Sequence, residues 1–233
     1  MGSFKDVVGH KDIINYIKNA VKMDQVSHAY IMNGERGAGK KLLAYLFAMT
    51  LLCEEGGPEP CNTCHSCRQA ETGNHPDIIR VTHEKPNTIS VDDIREQVNN
   101  TIMIKPYQGP YKVYIIDNAD LMTQQAQNAL LKTIEEPPHY AVIMLLTENA
   151  EILLPTINSR CVMLRLRYIK DKLIKKYLME SLKVPDYKAD LCTAFAQGNM
   201  GHAIMLANSE HFNEIREEAI HLLRHVHGME LSE

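Results

Sequence analysis

The chain has 233 residues, 45% of them apolar and 23% charged, with a formal net charge of −4, which suits one large soluble domain or a large and a small one. The acidic balance speaks against a free-standing duplex-binding domain, while leaving room for a local basic surface. No apolar run reaches membrane-spanning length, Met1–Asp6 lacks the apolar stretch of a secretory signal, and Asp6 stands where a myristoylation motif wants Ser or Thr, so a cytoplasmic protein with no membrane partner is expected.

In chain order, Ile13, Ile14, Ile17, Ala20 and Val21 recur at helical spacing and predict a helix over 11–23. Residues 28–33 form a short apolar run ending at Gly34, which reads as a buried strand. Leu42 to Leu52 predicts a mostly apolar helix packed on a sheet, and the Cys-, Gly- and Pro-rich segment 53–68 then interrupts the pattern. Asp77–Val81 is a second strand, and Ser90 reads as the N-cap of a helix to about Met103, with Asp92 and Asp93 in its first turn. Val113–Ile116, Ala141–Leu146 and Val162–Leu166 predict three more strands, and Thr123 caps a helix that Pro137-Pro138 stops near Glu135. Strands alternating with helices imply an α/β fold with a parallel sheet covered on both faces. From Tyr168 onward the patterns are helical (171–182, 186–197, 201–208, 210–227), so a small all-helical domain follows a boundary near Arg167.

Gly34-Glu-Arg-Gly37-Ala-Gly39-Lys40-Lys41 fits the phosphate-loop pattern G-x-x-x-x-G-K in its required context, between a strand and a helix. Its glycines let backbone N–H groups form an anion nest at a helix N-terminus, and Lys40 would reach the outer phosphates. Position 41 should offer magnesium a hydroxyl; a lysine ammonium cannot coordinate a cation. A bare tight turn between strand and helix fits the same residues. Asp117, closing the strand Val113–Ile116, has the place of the first Walker B carboxylate, but Asn118 stands where hydrolases carry the Glu that polarises water.

Ser27-His-Ala-Tyr30, Leu130-Leu-Lys-Thr-Ile-Glu-Glu-Pro-Pro138 and Pro155-Thr-Ile-Asn-Ser-Arg-Cys161 resemble, in order and spacing over most of residues 4–165, the subunits of bacterial DNA polymerase III clamp loaders. The resemblance implies an AAA+ P-loop domain over 1–167, a small helical lid over 168–208, and over 209–233 the start of a helical collar, cut short. It implies a hetero-pentameric ring with gamma/tau and delta subunits that opens the sliding clamp and sets it on primed DNA in replication. In that ring the Arg of Ser-Arg-Cys, here Arg160, reaches in trans to the ATP of a neighbouring ATPase subunit, with Ser159 and Cys161 positioning it. The gamma/tau ATPases keep Thr after the loop lysine and Glu after the Walker B Asp, so Lys41 and Asn118 favour a non-hydrolysing member over an active ATPase. Thr147 matches the polar sensor position, though capping the next turn explains it equally well. Gly201, in Gly198-Asn-Met-Gly-His-Ala203, stands where the ATPase subunits place a second-sensor Arg. ATP or ADP binding is left open.

Cys53, Cys61, Cys64 and Cys67 have spacings that suit tetrahedral zinc, and four thiolates would close the coordination sphere, making the site structural. The family carries a similar module at this point. A P-loop fold kept only as scaffold for a zinc-containing nucleic-acid binder is a third reading of the chain. His65 is a spare ligand or a surface residue, and Cys192 reads as core. Two further patterns, His221/His225/His227 and Lys170/Lys172/Lys175/Lys176, are expected to be polar, solvated faces.

Overall fold

The computed structural model describes residues 2–226. Two compact units divide at Tyr168/Ile169. In the first, a five-stranded, wholly parallel sheet has the order β2-β3-β4-β1-β5, with β1 at Ala29–Asn33, β2 at Ile78–Val81, β3 at Lys112–Ile116, β4 at Ala141–Thr147 and β5 at Val162–Arg165. The central strands β3 and β4 are buried along their whole length, which is why they read as continuous apolar runs rather than alternating ones. The edge strands β2 and β5 admit Arg80 and Arg165.

Side-chain alternation sends Tyr30, Met32, Val113, Ile115, Met144 and Leu146 to one face, and Ala29, Ile31, Tyr114, Ile116, Ile143 and Leu145 to the other. The first face is covered by α1 (Lys11–Lys22), through Ile13, Ile14 and Ile17, and by α2 (Lys40–Leu52). Leu43 through Leu52 are all buried, so α2 is apolar all round, as a helix enclosed on every side must be. A short helix, α3 (His65–Glu71), follows in the cysteine-rich insert. The second face is covered by residues of α4 (Val91–Ile94) and α5 (Gln124–Glu135), the latter capped by the Thr123 hydroxyl, which accepts from Ala126 N–H. Beyond β4, α6 (Pro155–Asn158) leads into β5.

The helix expected from Ser90 to Met103 is shorter. Ser90 and Asp93 form the capping box, but α4 passes into a π-helical turn at Arg95–Asn99 and ends there. Beyond it the backbone runs on in turns, with Thr101 N–H and Ile102 N–H both donating to Val98 O, while the Thr101 hydroxyl donates to Gln97 O and Asn99 to Ala129 O on α5.

Asp77 lies just before β2 rather than in it. Its fully buried carboxylate accepts the N–H groups of Tyr107 (2.7 Å), Gln108 (2.8 Å) and Gly109 (3.2 Å), fixing the turn that feeds β3. Replacing it with Ala would strand three donors and is expected to cost about 2–3 kcal/mol. Thermal melts should show the loss, with Asp77→Asn milder; an unshifted melt for the Ala variant would remove this role.

In the second unit, α7 (Asp171–Glu180), α8 (Asp186–Ala196) and α9 (Met200–Asn208) pack around Ile174, Leu178, Ala189, Cys192 and Ala203, and α10 (Glu210–Val226) follows them. Cys192 is core, as its apolar surroundings in sequence suggest. Lys175 of the basic cluster is neutralised by Asp186 (2.9 Å) and Asp190 (2.7 Å), and Lys176 faces Glu180. His221 is exposed, no structure is described for the His225 side chain, and His227 lies outside the described residues. Among the described residues no helix is long and apolar enough to cross a membrane.

Candidate functional site

In a parallel sheet all carboxyl ends point one way, and connections leaving them converge on one edge. Here the loop Gly34–Lys41 leaves β1, Asp117 follows β3, and Thr147 ends β4, the strand between them. Pairing of Asn33 with Thr147 and of Ile116 with Leu145 brings the three ends nearly level.

The loop has the backbone of an anion nest. Gly37 (φ 87°) and Gly39 (φ 98°) take left-handed conformations that an L side chain resists, and Gly39 opens α2. The first N–H groups of α2 have no intrahelical acceptors and face this end. Lys40, only 7% exposed, donates to Gly34 O and to Glu35 O (3.0 Å). Burial, opposed by Glu148, Asp120 and Asp117, lowers its pKa from the usual lysine value. A cavity of about 480 Å³ opens here, lined by Gly37, Gly39, Lys40, Lys41, Asp117, Asn118 and Glu148 among others.

The residues fit a phosphate chain but not its magnesium. Lys41 Nζ lies 2.5 Å from Asp117 Oδ2, so the carboxylate a metal site would use is engaged by an ammonium that has no lone pair to offer. Asp117 Oδ1 is buried with no hydrogen-bond partner among the described residues. Asn118, at φ 49°, starts the 3-10 turn Ala119–Leu121 and presents an amide, not a carboxylate.

Thr147 reaches the same sheet edge but does not line the cavity. Its hydroxyl donates to Asp120 Oδ1 (2.9 Å) and accepts from Asn149 N–H (3.2 Å) in the next turn. Asp120 also accepts Glu148 N–H (3.2 Å). Sequence reasoning missed Asp120 and Glu148; acids just past the ends of β3 and β4 were the available signal.

Arg160 lies elsewhere. It precedes β5, and Val162 pairs with Tyr30 near the start of β1, so Arg160 is at the amino end of the sheet. The phosphate loop begins four residues further along, roughly 13 Å in the strand direction. Its guanidinium donates to Thr156 O (3.1 Å) and Ser159 Oγ (3.3 Å) and pairs with Glu135 Oε1 (3.0 Å), while remaining 40% exposed. Cys161 packs against the second core face, and burial pushes its thiol up to about 12.

In the insert, the sulfurs of Cys53, Cys61, Cys64 and Cys67 all lie within 4.8 Å of one another, with Cys61 and Cys67 at 4.0 Å. A tetrahedral zinc–thiolate centre has sulfur–sulfur edges of about 3.8 Å, so the donor set fits the metal. The Thr63 hydroxyl, with the N–H groups of Thr63 and Cys64, donates to Cys61 Sγ and brings that thiol down to about 6, favouring the ligating thiolate. Cys67 N–H donates to Cys64 Sγ and Cys61 N–H to Cys53 Sγ, while burial pushes the Cys53 and Cys67 thiols up. His65 is exposed and outside the cluster.

This sheet, with a phosphate loop at the carboxyl end of β1 and an acid at that of β3, is the P-loop module of the AAA+ class, carrying a cysteine-rich insert and followed by a small helical unit. The profile of the family described as "DNA polymerase III, delta subunit" matches residues 9–170. The chain belongs to that family of DNA polymerase III clamp-loader proteins. It is 36% identical to DNA polymerase III subunit delta' of Bacillus subtilis, over 92% of this chain and 64% of that protein. It is also 35% identical to subunit tau/gamma of Haemophilus influenzae, over 88% of this chain and 30% of that protein. A solved gamma subunit-related protein of Thermotoga maritima superposes with a TM-score of 0.51 at 25% identity, covering 81% of this chain and 58% of that one. The chain thus spans less than two thirds of the length of these relatives.

Proposed function

We propose that this chain is a non-hydrolysing, delta-prime-type subunit of a DNA polymerase III clamp loader. It donates Arg160 in trans to ATP held by a neighbouring gamma/tau-type subunit, within a ring of five that includes delta, while the assembly opens the sliding clamp and places it on primed DNA. Residues 1–167 serve as the AAA+ domain, 168–208 as its lid, and 209–233 begin a collar. Cys53, Cys61, Cys64 and Cys67 hold a structural zinc.

The observation that carries this reading is the Lys41–Asp117 ion pair, which sits where hydrolysis needs a metal, next to Asn118 where it needs a base. Arg160 supports it from the opposite end of the sheet: a guanidinium at the amino ends does not serve the loop at the carboxyl ends, but it can serve another chain's. An active ATPase of gamma/tau type is the second reading, favoured by 35% identity to tau/gamma.

Turnover at this chain's own site in a reconstituted loader whose other ATP sites are silenced decides between them, because an isolated chain has no neighbour to supply the trans arginine. With magnesium and ATP, hydrolysis is expected at least about a thousandfold below the ~10 s⁻¹ of an ordinary enzyme. Magnesium-dependent turnover near that ordinary rate, abolished by Lys40→Ala, would establish the ATPase reading instead.

A further inference from the structure

Lys41 is not merely a lost hydroxyl. Its backbone is fixed in the first turn of α2, and its ammonium reaches across to the strand end that bears Asp117. The side chain is 75% exposed, so the ammonium keeps donors free on its solvent side while one contacts Oδ2. A divalent cation approaching Asp117 meets a positive charge already in contact with that carboxylate. An anion meets the reverse: Asp117 is neutralised, and the buried Lys40, the nest amides and the outer face of Lys41 remain to receive it.

We propose that the loop binds the polyphosphate chain of a nucleoside di- or triphosphate without a divalent cation, the Lys41 ammonium supplying from the chain itself the positive charge that a metal otherwise brings. A threonine at position 41 would leave Asp117 negative beside the loop, so that an anion would bind only with a cation to bridge it. Metal dependence of binding is therefore set by this one position. The proposal goes beyond the non-hydrolysing reading: it concerns what the loop holds, and does not depend on Arg160.

Calorimetry on the whole chain tests it, titrating ADP, ATP and inorganic tripolyphosphate, each in EDTA and in excess magnesium. ADP is expected to bind in EDTA at least as tightly as with magnesium. Lys41→Thr should weaken binding in EDTA by at least about tenfold, the scale of one charge removed at contact distance, and magnesium should restore it. Lys40→Ala should lose binding under both conditions. Melting curves establish that each variant is folded, and the wild-type comparison decides the matter without them. ADP binding that requires magnesium overturns the proposal, as does the absence of binding in both conditions. Tripolyphosphate binding as tightly as ADP would overturn the assignment of a nucleoside ligand. A chain that neither binds ADP nor turns over ATP sinks this proposal and leaves the proposed function standing; magnesium-dependent turnover sinks both.

Discussion

Replacing Arg160 with Ala in a reconstituted clamp loader is expected to slow hydrolysis at the neighbouring ATP site by roughly 10³-fold, the lower end of what an arginine supplied in trans contributes. The cause is electrostatic: a guanidinium beside the transferring phosphoryl group stabilises charge that grows in the transition state. Arg160→Lys should restore little, because an ammonium lacks the planar fork that meets two oxygens at once. The measurement needs the other ATP sites silenced, so that the single served site is read. The substituted chain should itself stay folded. The Glu135 contact joins two side chains 40% and 45% exposed, and such a pair is worth about 0.5 kcal/mol. Glu135→Ala is a separate probe: with its carboxylate partner gone the arginine is present but less well aimed, and a loss between about 10- and 100-fold is expected. An unchanged neighbour rate in Arg160→Ala would remove the trans role outright.

The difference between Arg160 and Lys41 shows what could be read from the residues alone. The sheet was legible because β1, β3 and β4 are buried on both faces and leave apolar runs bounded by Gly34, Asp117 and Thr147. Helix starts were legible where a side chain marks them, as Ser90 and Thr123 do. The end of the helix after Ser90 was not, because the backbone ladder slips there into π-helical and turn bonds at Arg95–Ile102, beside an Asn99 that binds Ala129 O on another helix. Lys41 reads in sequence only as a missing hydroxyl. Its contact with Asp117 spans 76 positions and exists because β1 and β3 flank β4 in near register. Asp77 misled for a similar reason: beside Ile78 it resembles a strand residue, while its three donors come from residues 107–109. Glu135, the partner of Arg160, had only its place in the Leu-Leu-Lys segment to mark it.

The cysteine module should show the largest effect on stability. The chain purified without chelators is expected to carry one zinc, read by elemental analysis, and a strong chelator should lower its melting temperature steeply. A structural zinc centre has an apparent binding free energy of about 12 kcal/mol; losing even a third of that corresponds to roughly 8–16 °C for a domain of this size. The loss should not stay local. Cys53 is the C-cap of α2, Cys67 and Ala70 belong to the core that α2 builds, and Tyr45 of α2 donates its hydroxyl to Ala70 O. Ser66 donates to Leu52 O (2.6 Å). His75 Nδ1 accepts the N–H of Asp77, so its Nε2 carries the proton and donates to Ser66 Oγ (3.0 Å), tying the insert to the buried carboxylate that orders 107–109. Cys67→Ser, which puts a hydroxyl into a position 1% exposed, should cost the metal and much of this stability together. Cys192→Ser, equally buried but in the helical unit, separates the two effects: it should destabilise while leaving the zinc content at one. A wild-type chain without metal, whose melt ignores the chelator, would mean that the four thiols are held together by packing alone.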